Sequence, residues 1–158
     1  MGTLENGIYH HNLTGIQFTL PPDWVIVNQD WSSDGAQFVL VRDTVLNLTG
    51  LVWLKKRAID PANIPSVMSR RLDCKAAQRN NLEGYKYRPE SIQNTTIGGR
   101  PALSAVADYV SGGKPMVEYL TWVDGAKSRV VFESRMPASG LADFQGRFDA
   151  LIESAIVP

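Results

Sequence analysis

Tight-turn signals divide residues 82–135 into short segments, and this pattern constrains the fold of this part of the chain. Gly98-Gly99 and Asp124-Gly125 are both strong hairpin signals, because glycine tolerates the left-handed backbone that tight turns use. Strands joined by such turns pair as antiparallel neighbours. The segments that the turns separate are rich in β-branched and aromatic residues and read as strands: residues 85–97, 102–110, 116–123 and 128–135.

The N-terminal third of the chain also reads as strands. Residues 7–24 contain a short strand that ends at His11, a turn, and a second strand with apolar side chains on one face. Three further strands follow: residues 25–27, 36–42 and 48–57. The polar stretch at residues 28–35 is predicted to be a loop, and it carries Trp31.

Two segments have the hydrophobic period of an α-helix. In residues 65–79 the apolar side chains of Met68, Leu72 and Ala76 are spaced four apart. The basic residues of this segment are expected mostly on the water side: Arg70, Arg71, Lys75 and Arg79. Residues 140–156 are amphipathic, with Ser139 as the predicted N-cap.

Strands outnumber helices and no regular β-α-β alternation occurs, so we expect an α+β fold with one antiparallel sheet covered by these two helices. At 158 residues the chain suits one domain, residues 1–158. Its predicted core contains Phe18, Leu20, Trp24, Leu72, Phe132, Phe144, Phe148 and Leu151. Trp53 and Trp122 lie in predicted strands and are also expected in the core.

The charge balance gives no general attraction to nucleic acid or anionic lipid. Sixteen basic and sixteen acidic side chains cancel. The short basic runs at residues 55–57 and 70–71 are therefore expected to be solvated faces rather than phosphate sites, and we expect no nucleic-acid partner. The longest apolar runs cover about one strand, so no membrane span is expected.

No pattern of residues predicts a catalytic, cofactor-binding or metal site. His10 and His11 are adjacent in a strand and point to opposite faces, so they cannot easily chelate one ion, and both are expected to be partly exposed. Cys74 lies in a predicted helix beside an apolar stripe and is expected to be buried. We therefore expect no cofactor.

Polar and aromatic residues in the predicted loop at residues 28–35 offer the one candidate contact. Asp23, Asp30 and Asp34 do not have the spacing of a calcium loop, and solvation explains them better than a ligand. Trp31 is aromatic in a polar loop and is the one residue predicted to contact a partner.

The opening of the chain resembles the PsbP/Mog1-like superfamily. Those proteins begin with an aromatic-Asn-Gly-Phe-Pro-Gly-Trp type of hairpin, and the matching positions here are Tyr9, Asn12, Gly15, Phe18, Pro21 or Pro22, and Trp24. Residues 97–102 are similar to the glycine turn between two central strands of that family. The resemblance implies a central antiparallel β-sheet with helices packed on both faces, an α/β/α sandwich.

The resemblance also implies a role in binding, since members of the superfamily act mainly by binding other molecules. We expect a noncatalytic binding or accessory domain whose partner is another protein. Two alternatives stay open: a small enzyme whose site assembles from distant residues, and a secretion-associated accessory protein. The sequence does not determine the compartment. The resemblance alone implies a bacterial protein, which would lie in the periplasm or outside the cell if a signal peptide was removed.

Overall fold

The computed structural model describes residues 1–56 and 60–158. Its strands are β1 (Gly2–Glu5), β2 (Ile8–His11), β3 (Gln17–Thr19), β4 (Trp24–Trp31), β5 (Gln37–Asp43), β6 (Leu48–Lys56), β7 (Glu83–Tyr87), β8 (Gln93–Ile97), β9 (Arg100–Ser111), β10 (Lys114–Asp124) and β11 (Ser128–Pro137). Its α-helices are α1 (Ile64–Ser69), α2 (Arg71–Gln78) and α3 (Leu141–Glu153). Short 3₁₀ turns occupy Pro61–Asn63, Pro89–Ser91 and Ala138–Gly140.

Within the described residues the strands form two antiparallel sheets rather than the single sheet predicted, because β1, β2 and β3 pair only with one another. The main sheet has eight strands in the order β4-β5-β6-β11-β10-β9-β7, with β8 also paired to β9. Strands β1, β2 and β3 form a separate three-stranded sheet. The chain leaves β6, passes through α1 and α2, and re-enters the sheet at its far edge as β7. This crossover lays both helices over one face of the main sheet.

The predicted glycine turns are confirmed, although they work in two different ways. Gly98 and Gly99 have φ values of 56° and 75° between β8 and β9, a conformation that other residues rarely adopt. Gly125 begins the turn between β10 and β11. A glycine is needed there because no side chain would fit against the end of the chain. A Cβ at this position would lie 2.2 Å from the carbonyl oxygen of Pro158.

Helix α3 packs its aromatic side chains onto one face of the main sheet. Phe144 and Phe148 are fully buried, and the Phe148 ring lies 5.7 Å from Trp24 and 6.2 Å from Phe132, centroid to centroid. Gly50 of β6 makes room for this ring, because a Cβ there would lie 2.6 Å from the Cε2 atom of Phe148. Close packing of aromatic rings therefore fixes α3 against the sheet.

A second, smaller cluster lies on the opposite face, under α1. Ile64 and Met68 of α1 pack with side chains of three neighbouring strands, namely Leu103, Leu120, Trp122 and Val131. Because successive side chains of a strand point to opposite faces, Leu120 and Trp122 belong to this cluster while Tyr119 and Val123 belong to the core under α3.

Several local predictions are corrected by the tertiary pairing. The predicted loop at residues 28–35 begins as strand, because β4 continues past a bulge and pairs with β5 as far as Trp31. The predicted helix at 65–79 breaks at Arg70, whose N–H bonds the carbonyl of Val67 three residues earlier. Ser139 lies in a 3₁₀ turn, and Gly140 takes the N-cap position of α3.

The predicted core is confirmed for every side chain except Leu72, which is half-buried. Trp122 is buried as expected, whereas Trp53 is half-buried. Cys74 was expected to be buried and is exposed, since α2 buries none of its side chains fully. The predicted strand at 48–57 ends at Lys56, and Arg57 lies outside the described residues.

His11 joins the small sheet to the main one, contrary to the expectation that it is partly exposed. It is 2% exposed, and its Nδ1 lies 2.6 Å from the Thr14 hydroxyl oxygen while its Nε2 contacts the Gln37 side-chain oxygen. Because that oxygen only accepts, Nε2 donates and Nδ1 accepts from Thr14. His10 is half-buried on the other face of β2, as the strand alternation predicts.

This arrangement makes stability depend on pH. Burial lowers the pKa of His11 to about 4 from its ordinary value of 6.5. Between these values the unfolded chain binds the extra proton and the folded chain does not, so stability is lost as pH falls below 6.5. We expect the free energy of unfolding in urea to drop by ~1.3 kcal/mol between about pH 7.5 and pH 5.5.

His11→Gln should remove most of this drop, because glutamine does not titrate. The quantity to compare is the change in the free energy of unfolding between the two pH values within each protein, because the substitution can also alter the stability at both pH values. An equal drop in both proteins would show that His11 is not the titrating group.

Candidate binding site

Helix α2 presents three cationic side chains to the main sheet. Arg71, Lys75 and Arg79, the C-cap residue, are four apart and so lie along one side of the helix. All three are half-buried, whereas Arg70 is exposed. The prediction that these residues face water is therefore correct for Arg70 and wrong for the other three.

Three acidic side chains of the sheet receive these cations. A nitrogen of Arg71 lies 2.8 Å from a carboxylate oxygen of Asp124. Lys75 Nζ lies 3.2 Å from Glu133, and Arg79 Nε lies 3.1 Å from Glu118. The three ion pairs run along the helix, and we call them the α2 ion-pair ladder.

The side chain of Glu118 is fully buried, as is that of Asp124. Glu118 accepts hydrogen bonds from the Tyr85 hydroxyl at 2.7 Å and from Arg135 Nε at 2.7 Å, besides the bond from Arg79. Burial alone would raise the pKa of Glu118, but these hydrogen bonds and the two arginine charges outweigh it and lower the pKa. The carboxylate is thus held ionised inside the fold.

Glu133 connects the ladder to a cavity between α2 and β6. Its carboxylate accepts the indole N–H of Trp53 at 2.8 Å and contacts Lys75 and Arg79. The cavity, which we call the α2 cavity, has a volume of about 300 Å³. Its lining combines charged, polar and apolar side chains: Asp34, Trp53, Lys55, Lys75, Gln78, Arg79, Val131 and Glu133.

Trp31 does not line the α2 cavity. It is 49% exposed at the end of β4 and lines a neighbouring cavity of about 260 Å³ beside Leu13, which is 50% exposed. Asp34 and Lys55 line both cavities and so separate Trp31 from the α2 ion-pair ladder. The exposure of Trp31 agrees with a contact role, and that role stays a prediction.

The other residues weighed from the sequence stay apart. Asp34 accepts from the Ser32 hydroxyl, Asp30 accepts from the backbone N–H of Trp31, and Asp23 lies 3.7 Å from Arg147. Over residues 1–56 and 60–158, no group of three or more His, Cys, Asp or Glu side chains could hold a metal ion. No helix in those ranges is long and apolar enough to cross a membrane.

The acidic members of the ladder were missed in the sequence, although a signal for them exists. Glu118 and Glu133 each interrupt a strand segment that is otherwise mostly apolar and aromatic. A lone acid in such a segment is either exposed on one face or paired inside. The cations that could pair with such acids are recognisable as well, because Arg71, Lys75 and Arg79 are four residues apart and so lie on one side of a helix.

Comparison of the sequence with protein-family models and with curated proteins finds no match. Solved structures do match. The cyanobacterial PsbP (CyanoP) of Synechocystis sp. PCC 6803 superposes with a TM-score of 0.66 at 13% identity, over 96% of this chain and 91% of CyanoP. LpqN of Mycobacterium tuberculosis, described as involved in cell envelope biogenesis, gives 0.58 at 17% identity, over 100% of this chain and 91% of LpqN.

A protein of unknown function from Pseudomonas aeruginosa gives a TM-score of 0.56 at 13% identity, over 99% of this chain and 96% of that protein. At these identities the likeness concerns the fold alone. The chain therefore has a PsbP/Mog1-like fold, as the opening hairpin and the glycine turn predicted.

If the α2 ion-pair ladder stabilises the fold, neutralising a buried carboxylate should lower the free energy of unfolding much more than neutralising an exposed one. Glu118→Gln removes a charge that two arginines share inside the fold, so we expect the free energy of unfolding to fall by ~3 kcal/mol. Asp108→Asn is the matched control, because Asp108 pairs with Arg88 at 2.8 Å but is 50% exposed. Its loss should stay below ~1 kcal/mol in the same urea titration. Similar small losses in both variants would contradict a structural role for the ladder.

Proposed function

We propose that this chain is a noncatalytic binding or accessory domain that receives another protein on the uncovered half of its main sheet. The proposal includes the α/β/α sandwich of PsbP/Mog1-like proteins as the arrangement of its layers. The observation that carries it is a set of apolar side chains on the helix-bearing face of the sheet that lie to one side of α1 and α2. We call them the open face: Val25, Phe38, Leu40 and Leu51.

The strand register places the open face beside the helices. Phe38 pairs with Trp53, and Leu40 pairs with Leu51, across β5 and β6. Trp53 in turn pairs with Val131, which packs under α1. Helices α1 and α2 contact β9, β10 and β11, as described above. The open face therefore lies on the same side of the sheet as these helices, but beside them rather than beneath them.

The open face keeps apolar area in contact with water. Val25 is 39% exposed, and Phe38, Leu40 and Leu51 are half-buried. A cavity of about 350 Å³ adjoins Leu40 and Leu51. Neighbouring apolar side chains that stay partly exposed are typical of interaction sites.

Charge around the open face favours a partner with acidic groups beside an apolar surface. Arg42 is exposed opposite Val25, and Arg135, with its side chain 43% exposed, lines the cavity next to Leu40 and Leu51. Cationic side chains around an apolar centre steer an acidic partner and fix its orientation.

Buried titratable groups support a noncatalytic role. Glu118 and Asp43 have lowered pKa values despite their burial, because arginine side chains hold both carboxylates. Burial raises the pKa of Asp149, whose carboxylate accepts the Tyr119 hydroxyl. Each of these carboxylates is therefore occupied by a structural partner.

Site-specific photo-crosslinking in the source organism tests the proposal. A photoreactive amino acid at Leu51 should yield an adduct with a specific protein, identified by mass spectrometry. The same amino acid at Ile156, which is apolar and 55% exposed elsewhere on the surface, is the control. Leu51→Glu should then weaken the binding of this protein to the purified partner by at least about tenfold. Ile156→Glu should leave that binding unchanged. Equal crosslinking at both positions, or no loss with Leu51→Glu, would contradict the proposal.

A further inference from the structure

The α2 cavity contains a lysine that the ion-pair ladder leaves out. Lys55 of β6 is half-buried and lines the cavity, with its ammonium nitrogen 6.0 Å from the centroid of the Trp53 ring. Among residues 1–56 and 60–158, no carboxylate lies within salt-bridge distance of Lys55. A partly desolvated ammonium normally has such a partner.

Lys55 lies near other cationic side chains. Arg129 is directly opposite Lys55 in the register of β6 and β11, where like charges are destabilising. Lys75 and Arg71 of α2 also act on Lys55 as positive charges, although each is paired with a carboxylate of the ladder, and Asp34 is the carboxylate that favours the charged lysine. Burial first, and then these three cations, lower the pKa of Lys55.

The carboxylates near the cavity are already occupied. Glu133 accepts from Trp53, Lys75 and Arg79, and Asp34 accepts from the Ser32 hydroxyl and from the backbone N–H of Ala36. The charge of Lys55 itself is therefore left without a paired carboxylate among the described residues. An anion in the cavity would neutralise it.

The remaining walls suit the body of a small molecule. The indole ring of Trp53 is held by its bond to Glu133 and by Phe38, whose ring lies 5.4 Å away. Val131 adds apolar surface, and Gln78 adds an amide that can donate or accept. A volume of about 300 Å³ is at the lower end of small-molecule sites.

We propose that the α2 cavity binds the carboxylate or phosphate group of a small aromatic or aliphatic molecule. Lys55 and Lys75 provide the positive charge, Arg79 and Gln78 provide N–H donors, and Trp53 with Val131 contacts the apolar body. This site goes beyond the protein-docking function and does not depend on it, because Lys55, Lys75 and Gln78 lie outside the open face.

Isothermal titration calorimetry with phenyl phosphate and with benzoate tests this site and distinguishes the two anionic groups. We expect saturable binding of at least one probe at millimolar concentration or below. Lys55→Gln should weaken that binding by at least about tenfold, which corresponds to ~1.4 kcal/mol. Lys114→Gln is the matched control, since Lys114 is an exposed lysine at the turn between β9 and β10, and it should bind as the unaltered protein does.

A stability measurement completes the test. Lys55→Gln removes a repelled charge, so its urea midpoint should equal or exceed that of the unaltered protein. The proposal is overturned if neither probe binds, or if Lys55→Gln and Lys114→Gln bind the probe equally well. It is also overturned if Lys55→Gln lowers the urea midpoint, because Lys55 would then stabilise the fold. Failure of both probes would leave crosslinking at Leu51 unaffected, so the two proposals can fail separately.

Discussion

Ion pairs attach helix α2 to the main sheet. None of the side chains of α2 is fully buried. The helix meets the sheet through the ion pairs of Arg71, Lys75 and Arg79, besides the half-buried Leu72, which packs against the cluster under α1. Removing ions from water is costly, and the cost is offset only where geometry and further hydrogen bonds are good. Glu118 satisfies this condition with donors from Tyr85, Arg79 and Arg135. The ladder therefore fixes where α2 lies, because a displaced helix would leave buried charges unpaired.

The position of α2 determines both proposed surfaces. Because the helix is fixed over β10 and β11, the face of β4, β5 and β6 beside it is left for a partner protein. The same placement encloses the α2 cavity, whose walls include Lys75 and Arg79 from the helix and Trp53 from the sheet. Glu133 contacts all three, so the ladder, the cavity and the edge of the open face share one carboxylate.

Features with a local cause could be predicted from the sequence. The Gly98-Gly99 turn depends on the backbone freedom of glycine, and α3 carries its own apolar stripe with Phe144 and Phe148. The orientation of α2 could not be predicted, because its inward side is cationic and periodicity assigns such a side to water. Its acidic partners lie 53, 58 and 39 residues away along the chain, at Asp124, Glu133 and Glu118. His11 was misjudged for the same reason, since its partner Gln37 is 26 residues away.

A double-mutant cycle between Arg71 and Asp124 tests the ladder most directly. This pair is the simplest of the three, with one arginine nitrogen 3.0 and 2.8 Å from the two oxygens of a fully buried carboxylate. The cycle compares the free energies of unfolding of the unaltered protein, Arg71→Met, Asp124→Asn and the double variant. If the pair holds α2, the coupling energy should be ~2 kcal/mol, within the range for residues in direct contact. A coupling energy below ~0.5 kcal/mol, the scatter expected for independent sites, would contradict attachment of α2 by charge.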